Sequence, residues 1–374
     1  MGFLNTTLTI LGIKISLQII SLNMKNSPYS FHPNFKLNGM LYSTLKKSLS
    51  YKEFFSDKID VLDFIETWEN NDSVISLKTS GSTGLPKNIL AKKNAMVYSA
   101  KKTGKEFDLK SGSKALLCLP LTFIAGKMML VRGFVLGLDL HIAKPSSSPL
   151  KNTTKLYDFV AMTPYQLERS IEDLDKVKCL IVGGSPVLEW IKKKVKSSST
   201  IIYETYGMTE TLSHVAIKNL SIGENEFRAI SGITFSEKNG FLEVFAPFIS
   251  KNPILTNDLI RLVSNTVFEW RGRAGLIINS GGIKINPEKI EKLLGTYYNI
   301  PFIVCGFPDK KLGEKIVLVF ENKIPSTPEL FFKNLSPYER PREIFLLNSF
   351  KRIHGKINRN DIKNRLLKIS NGRK

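Results

Sequence analysis

Nine consecutive residues combine four hydroxyl side chains, two glycines and a lysine, directly after the apolar run 74–77. The residues that could contact an anion are Thr79, Ser80, Gly81, Ser82, Thr83, Gly84 and Lys87. Glycines let backbone N–H groups approach an anion closely, hydroxyls add donors, and the ammonium group supplies a charge for phosphate oxygens. The spacing is not the Walker pattern, because the glycines are three apart and Lys87 follows a proline. The string is too specific for an ordinary serine–glycine turn and predicts a polyphosphate site.

The elements that must position this loop are predicted from short apolar runs that alternate with longer helical stretches. This pattern is typical of parallel α/β architecture. Candidate strands are 74–77, 115–119, 138–142, 159–162, 179–182 and 201–204. Several of them end in turns rich in Gly, Ser, Thr or Pro. In open α/β sheets ligands bind outside the carboxyl ends of the strands, so we expect the site at these turns.

The pattern changes after about residue 230 to shorter, hairpin-like strands at 240–244, 260–263 and 268–273. A domain boundary is predicted near Arg273. Beyond it lie a strand at 276–279, a helix that Asn286 caps and Pro287 begins, and strands at 302–306 and 315–320. The predicted organisation is a possible N-terminal extension at 1–23, a large α/β domain at 24–273 and a small α+β domain at 274–374.

Composition limits the class of protein. The chain has 374 residues, 54 basic against 33 acidic, and a formal charge of +21. A hydrophobic content of 42% is too high for a disordered polycation. The three cysteines are distant from one another and lack a Cys-x-x-Cys pair, which favours a reducing, cytoplasmic setting over a disulfide framework or a zinc cluster. The apolar stretch 3–22 is interrupted by polar residues, so stable membrane insertion is not expected.

The positive charge makes nucleic acid, anionic membrane and polyphosphorylated small molecules candidate partners. A basic nucleic-acid or membrane-surface protein would show clustered basic stripes interleaved with exposed aromatic residues. Here the basic residues are scattered, with one short cluster at 192–196 that is interpreted as the solvated end of an amphipathic helix. The charge therefore favours small polyanions over nucleic acid.

Six segments, in order, resemble the motifs of the adenylate-forming acyl-CoA synthetases. They are the phosphate loop 79–87, the glycine turn at Gly183, Gly184 and Ser185, the motif 203–210, the segment 255–258, the arginine segment 271–273, and the Gly-Lys motif 354–359. The resemblance spans residues 79 to 359. It implies a large nucleotide-binding α/β domain, a small mobile C-terminal domain, and ATP, Mg²⁺ and coenzyme A as ligands, with CoA as a substrate.

The same resemblance implies a role for each matching residue. Lys356 is the catalytic lysine, which places positive charge where a carboxylate meets the ATP α-phosphate. Thr209 contacts that phosphate, and Glu210 helps to hold magnesium. The adenine and ribose contacts fall to Gly183, Gly184, Ser185, Tyr206, Gly207, Asp258 and Arg273. The alternative is that these residues have only structural roles, as surface, turn or core positions.

A narrower resemblance, to the compact o-succinylbenzoate:CoA ligases of menaquinone biosynthesis, rests on segments 119–129 and 279–284. It implies a small-molecule carboxylic acid as the third substrate. Another aromatic or acyl acid is the alternative, and a nucleotide-binding relative without turnover is a third reading. That third reading is motivated by Gly275, which stands at the hinge position where an aspartate is usual. Phe123 also departs from the pattern, since many relatives have histidine there.

The four histidines receive no catalytic assignment. His32, His141 and His354 have no convincing partners in the sequence. His214 lies four residues after Glu210, where it could line the acyl pocket or serve the structure. The sequence leaves the oligomeric state open, with a homodimer among the options.

Overall fold

The protein is described by a computed structural model, which covers residues 8–10, 13–15, 29–78, 88–353 and 355–371. Residues 8–10 and 13–15 form strands, and the rest of the predicted extension 1–23 lies outside the described residues. The same holds for the whole predicted phosphate loop 79–87 and for His354. Among the described residues, no helix is both long and apolar enough to cross a membrane.

Helices lie between and around the strands. In the described residues the α-helices are α1 (Tyr42–Lys47), α2 (Tyr51–Phe54), α3 (Ile59–Glu69), α4 (Lys93–Glu106), α5 (Ile124–Leu136), α6 (Pro164–Glu168), α7 (Glu189–Val195), α8 (Pro287–Leu294) and α9 (Arg359–Asn371). Short 3-10 helices occupy Ile171–Lys176, Thr209–Thr211, Ala274–Leu276, Pro328–Asn334 and Pro337–Glu339.

The strands of the described residues run from the N-terminal segment to the last helix. They are β1 (Leu8–Ile10), β2 (Ile13–Ile15), β3 (Lys36–Leu37), β4 (Met40–Leu41), β5 (Val74–Lys78), β6 (Asn88–Lys92), β7 (Lys114–Leu117), β8 (Asp139–Ile142), β9 (Tyr157–Met162), β10 (Val177–Val182), β11 (Ile201–Gly207), β12 (His214–Asn219), β13 (Phe227–Ala229), β14 (Thr234–Lys238), β15 (Phe241–Phe245), β16 (Ile254–Ser264), β17 (Val267–Arg273), β18 (Ile278–Ser280), β19 (Ile283–Ile285), β20 (Phe302–Asp309), β21 (Gly313–Glu321), β22 (Glu343–Leu347), β23 (Arg352–Ile353) and β24 (Lys356–Ile357).

A 13-stranded sheet organises residues 36–273, in the order β14-β15-β16-β17-β13-β12-β11-β10-β9-β7-β8-β3-β4. Its centre, from β11 to β8, is parallel, and the strands from β12 to β14 are antiparallel. The central strands are apolar along their length and packed on both faces, as parallel strands require. The carboxyl ends of β9, β10 and β11 therefore meet at one edge of the sheet, which confirms the predicted α/β class.

A second sheet organises the C-terminal part, in the order β19-β18-β21-β20, with β22 alongside β21. The helix α8 packs on one face of this sheet and α9 on the other. The predicted start of α8 is confirmed, because the Asn286 side chain accepts N–H groups of Glu288 and Lys289 and Pro287 holds the first helical position. The catalytic-lysine candidate lies on the separate hairpin β23–β24.

The structure corrects three details of the sequence analysis. The strand predicted at 74–77 forms, but it pairs antiparallel with β6 in a separate two-stranded sheet instead of joining the parallel series. Lys192 is not solvated, because its ammonium group lies 2.6 Å from Glu189 and 3.9 Å from the buried carboxylate of Glu204. His141 has partners, namely Asp139 at 3.4 Å and Lys155 at 3.0 Å.

Candidate active site

The Asp258 carboxylate, on β16 of the large sheet, accepts hydrogen bonds from three side chains, two of which the sequence analysis predicted as site residues. The strands β16 and β17 pair so that Asp258 lies opposite Arg273. The carboxylate is only 5% exposed and accepts hydrogen bonds from Tyr206 Oη at 2.7 Å, Trp270 Nε1 at 3.2 Å and Arg273 Nε at 3.0 Å. Trp270 was not singled out in the sequence. The cluster of Tyr206, Asp258, Trp270 and Arg273 is called the Asp258 cluster below.

The hydrogen bonds that the Asp258 carboxylate already accepts limit how many it can accept from a ligand. A carboxylate offers about four acceptor positions, and three are already used by the cluster. A ribose that donated two hydroxyl groups to Asp258 would therefore have to displace one of the three donors. Burial, and then the Asp258 charge, raise the pKa of the Tyr206 phenol, which keeps Tyr206 a neutral donor to Asp258. Burial acts to lower the pKa of Arg273, but Asp258 outweighs it and raises that pKa.

The two residues that follow β10 are glycines, and they form a turn whose backbone requires glycine. A Cβ at Gly183 would lie 2.4 Å from Thr205 Oγ1, and Gly184 has a φ of +95°. Both positions therefore require glycine. The turn is fixed from behind by the buried Glu204, whose Oε1 accepts the Val187 N–H at 3.2 Å. The predicted Ser185 lies on the same turn and is half-buried.

Lys356 reaches this glycine turn from the C-terminal part of the chain. Its Cε would lie 3.4 Å from a Cβ built on Gly184. The preceding Gly355 has a φ of +78°, and a Cβ there would lie 3.0 Å from Thr163 Oγ1, so the hairpin fits tightly against the large sheet's edge. Burial, and then the charge of Arg273, lower the pKa of Lys356. Within the described parts of the chain, Lys356 has no acidic partner.

The motif 203–210 ends in a tight turn. The strand β11 bulges between Tyr206 and Gly207, and a Cβ at Gly207 would lie 2.2 Å from the Ser213 carbonyl oxygen. Leu212 is a non-glycine residue with a φ of +62°, a strained conformation of the kind that occurs at functional sites. The turn presents Glu210 as an exposed carboxylate, with Thr209 half-buried beside it. One carboxylate fits Mg²⁺, which usually completes its coordination with phosphate oxygens and waters.

A buried arginine on the other side of this turn was missed by the sequence analysis. Arg132, on α5, is 2% exposed. Its Nη2 donates to Ser213 Oγ at 2.6 Å and lies 3.4 Å from His214 Nδ1, and Nη1 contacts the Met129 sulfur at 3.5 Å. Its Nε has no hydrogen-bond partner, and within the described residues no acidic group lies near it. Burial lowers the pKa of Arg132 to about 9.

His214 lies beside Arg132, and its contacts determine which of its ring nitrogens carries the proton. Burial, and then the Arg132 charge, lower the pKa of His214 well below its usual value, so the ring is neutral. Because Arg132 donates to Nδ1, the proton must sit on Nε2, which lies 3.3 Å from Thr103 Oγ1. The Thr103 hydroxyl donates its own hydrogen bond to the Ser99 carbonyl oxygen at 3.1 Å. Arg132, Ser213, His214 and Thr103 are called the Arg132 cluster below.

The site geometry agrees with the family that the chain matches. A family model described as AMP-binding enzyme matches residues 40–233, slightly more than half of the chain. The chain belongs to the AMP-binding enzyme family. Curated relatives in this family include the 2-succinylbenzoate–CoA ligase of Oceanobacillus iheyensis, 24% identical over 82% of this chain and 75% of that protein. The probable 2-succinylbenzoate–CoA ligase of Mycobacterium tuberculosis is 26% identical over 78% of this chain and 84% of that protein.

Solved structures of AMP-forming ligases share the fold. An acyl-CoA synthetase (AMP-forming)/AMP-acid ligase II-like protein from Dyadobacter fermentans is 34% identical, covering 81% of this chain and 93% of that chain, with a TM-score of 0.54. The O-succinylbenzoate coenzyme A synthetase of Bacillus subtilis, solved with ATP and a magnesium ion, is 21% identical. It covers 77% of this chain and 69% of that chain with a TM-score of 0.67.

The structure of this AMP-binding enzyme brings some predicted residues together and leaves others outside the description. Tyr206, Asp258 and Arg273 form one cluster, and Lys356 lies against the Gly184 turn. The loop residues from Thr79 to Lys87 lie outside the described residues, although the flanking strands β5 and β6 pair through Lys78 and Asn88. The predicted hinge Gly275 lies in the 3-10 helix directly after β17, and its role stays a prediction.

Proposed function

We propose that this AMP-binding enzyme is an AMP-forming acid:CoA ligase that converts 2-succinylbenzoate to its CoA thioester in menaquinone biosynthesis. Residues 24–273 would form the nucleotide-binding part and residues 274–374 the part that carries the catalytic lysine. Three separate free cysteines agree with the cytoplasm as the site of this reaction. The curated relatives carry this activity in their names.

The observation that carries the choice of acid is the buried Arg132. A dicarboxylic acid keeps one carboxylate after the other is activated, and that remaining charge needs a cation in a closed pocket. Arg132 has donors to spare and lacks an acidic partner within the described residues. A guanidinium group binds a carboxylate through two parallel hydrogen bonds, which makes it more selective than a lysine. A monocarboxylic acid would leave this buried charge uncompensated.

The first chemical step joins two anions. A carboxylate oxygen attacks the α-phosphorus of ATP, and pyrophosphate leaves with the electron pair of the broken P–O bond. We assign to Lys356 the positive charge that offsets the repulsion between carboxylate and phosphate. The Asp258 cluster would hold the nucleoside, and Thr209 the α-phosphate. Glu210 would hold Mg²⁺, which when bound neutralises charge on the phosphates.

The second step needs no such charge compensation. The CoA sulfur attacks the acyl carbon of the adenylate, the acyl–oxygen bond breaks, and AMP leaves with that electron pair while the thiol proton is lost. The C-terminal part carries 19 basic and 9 acidic residues from 274 onward, which favours approach of the polyanionic CoA.

Acid-dependent exchange of labelled pyrophosphate into ATP tests the proposal. We expect exchange with 2-succinylbenzoate and much weaker exchange with benzoate, which lacks the second carboxylate. Lys356→Ala should abolish exchange but leave thioester formation from supplied acyl-adenylate and CoA largely intact. Exchange with a different acid alone would refute the substrate and keep the reaction class. Equal loss of both steps in Lys356→Ala would contradict the role of Lys356.

A further inference from the structure

Tyr165 lies where the large sheet meets the hairpin that carries Lys356. It is on α6, directly after β9, and Thr163 caps this helix in a reciprocal capping box with Gln166. The guanidinium carbons of two arginines lie over its ring, Arg169 at 4.8 Å and Arg352 at 5.0 Å. Arg169 belongs to the same segment as Tyr165, whereas Arg352 belongs to the C-terminal part of the chain.

Arg352 is rigidly tied to the catalytic-lysine candidate. It lies on β23, which pairs with β24 so that Ile353 is opposite Lys356. Its Nη1 and Nη2 donate to both carboxylate oxygens of Glu321 at 2.7 and 2.5 Å, and Nη1 also donates to the Phe350 carbonyl oxygen at 3.2 Å. The bidentate pair fixes the orientation of the guanidinium group against Glu321 at the end of β21, while the backbone of Arg352 belongs to the hairpin.

A second contact lies beside the first. A Cβ at Gly355 would lie 3.4 Å from Tyr165 Cβ and 3.0 Å from Thr163 Oγ1, so the turn of the hairpin rests on the first turn of α6. Tyr165 thus lies against the hairpin at two points that precede Lys356 in sequence, Arg352 and Gly355.

We propose that Tyr165 is a positioning residue for adenylation, because its ring holds the β23–β24 hairpin in the place where Lys356 reaches the Gly184 turn. This inference rests on the proposed function for the role of Lys356. It predicts a selective effect. Loss of the ring should slow adenylation, the step in which two anions meet, much more than it slows the attack of CoA on an adenylate that has already formed.

The test compares three variants in the two half-reactions. Tyr165→Leu keeps an apolar side chain of moderate size but removes the aromatic face, and Tyr165→Phe keeps that face. Arg169→Gln is the matched control, since it removes the cation that lies over the same ring without touching the hairpin. We expect Tyr165→Leu to lower the acid-dependent ATP/pyrophosphate exchange rate about tenfold, the size of a partly buried cation–π contact. Thioester formation from supplied adenylate should change less than twofold, and Tyr165→Phe and Arg169→Gln should stay within twofold of wild type in both assays.

A second measurement does not depend on activity. Hydrogen exchange of the backbone amides at 352–357 should be faster in Tyr165→Leu than in wild type, and unchanged in Arg169→Gln. Faster hairpin exchange in Tyr165→Leu, combined with a wild-type protein that lacks acid-dependent turnover, would support the contact while refuting the proposed function. Equal loss of both half-reactions in Tyr165→Leu, or unchanged hairpin exchange, would overturn the positioning role.

Discussion

Replacing Arg132 by methionine separates ligand binding from stability. The variant removes a buried guanidinium group that spends Nη2 on Ser213 and His214 and leaves Nε without a partner. Two charge-assisted hydrogen bonds to a substrate carboxylate would contribute about 3 kcal/mol, at about 1.5 kcal/mol each. We therefore expect the KM for 2-succinylbenzoate to rise about 150-fold. The kcat should change little, because the lost contact is made equally in the ground and transition states.

The stability of the same variant should not fall. A buried charge without an acidic partner is costly, and burial lowers the pKa of Arg132 to about 9. Apolar replacement of buried ionic groups is often neutral or stabilising by about 1–4 kcal/mol. Lys93→Met is the matched control, because Lys93 is also buried but its ammonium group donates to three oxygens of Trp68 and Asn70 at 2.7–3.0 Å. That control should lose stability and keep the KM of the acid.

The assay is pyrophosphate exchange titrated separately with acid and ATP, together with thermal unfolding with and without the acid. The acid should raise the midpoint of unfolding in wild type and in Lys93→Met, and not in Arg132→Met. The reasoning would be refuted by an Arg132→Met protein whose KM for the acid stays within threefold of wild type. It would also be refuted if the variant unfolded several degrees lower while the KM values of acid and ATP rose together.

Two further predictions concern the nucleotide side. Asp258→Asn removes the ion pair with Arg273, so we expect the KM for ATP to rise about tenfold in exchange assays with little change for the acid, and an unchanged ATP KM would contradict the assignment. Burial raises the pKa of Glu288 to about 7, from 4.5 in the unfolded chain, so the folded protein holds a proton that the unfolded chain releases and stability is lost as the pH rises through 7. Glu288→Gln should therefore narrow the difference in unfolding midpoint between pH 5.5 and pH 8, and an equal difference in both proteins would count against this.

The nucleotide side of the site was largely predictable from the sequence. Tyr206, Asp258 and Arg273 stand in recognisable motifs, and the structure brings them into contact. Their mutual bonding was not predictable, because it depends on the register of β16 and β17, which shifts at two irregularities. Trp270 was not predicted for the same reason. Its neighbours in the sequence do not distinguish it from a core tryptophan, and only the register of the two strands places it beside Asp258.

The acid side was not predictable from local patterns. Arg132 and Ser213 are 81 positions apart, and only the packing of α5 against the start of β12 brings them together. A weak signal exists, because Arg132 and Lys127 are the two charges within an otherwise apolar helix. The pairing of β5 with β6 was missed because no strand was predicted at Asn88–Lys92, so β5 was grouped with the parallel strands.

Two buried cations on helices, Lys93 on α4 and Arg132 on α5, show why hydrogen-bond satisfaction matters more than burial when a charge is interpreted. Lys93 and Arg132 are both almost inaccessible, and within the described residues no carboxylate lies near Arg132, whereas Asp72 acts on Lys93 to raise its pKa against the effect of burial. Three oxygens accept the three protons of the Lys93 ammonium group, so it has none left for a ligand. Arg132 has five N–H donors, and it contacts a hydroxyl, an imidazole and a thioether. The donors that remain support the proposal that Arg132 binds the acid, whereas Lys93 has no donor left for a ligand.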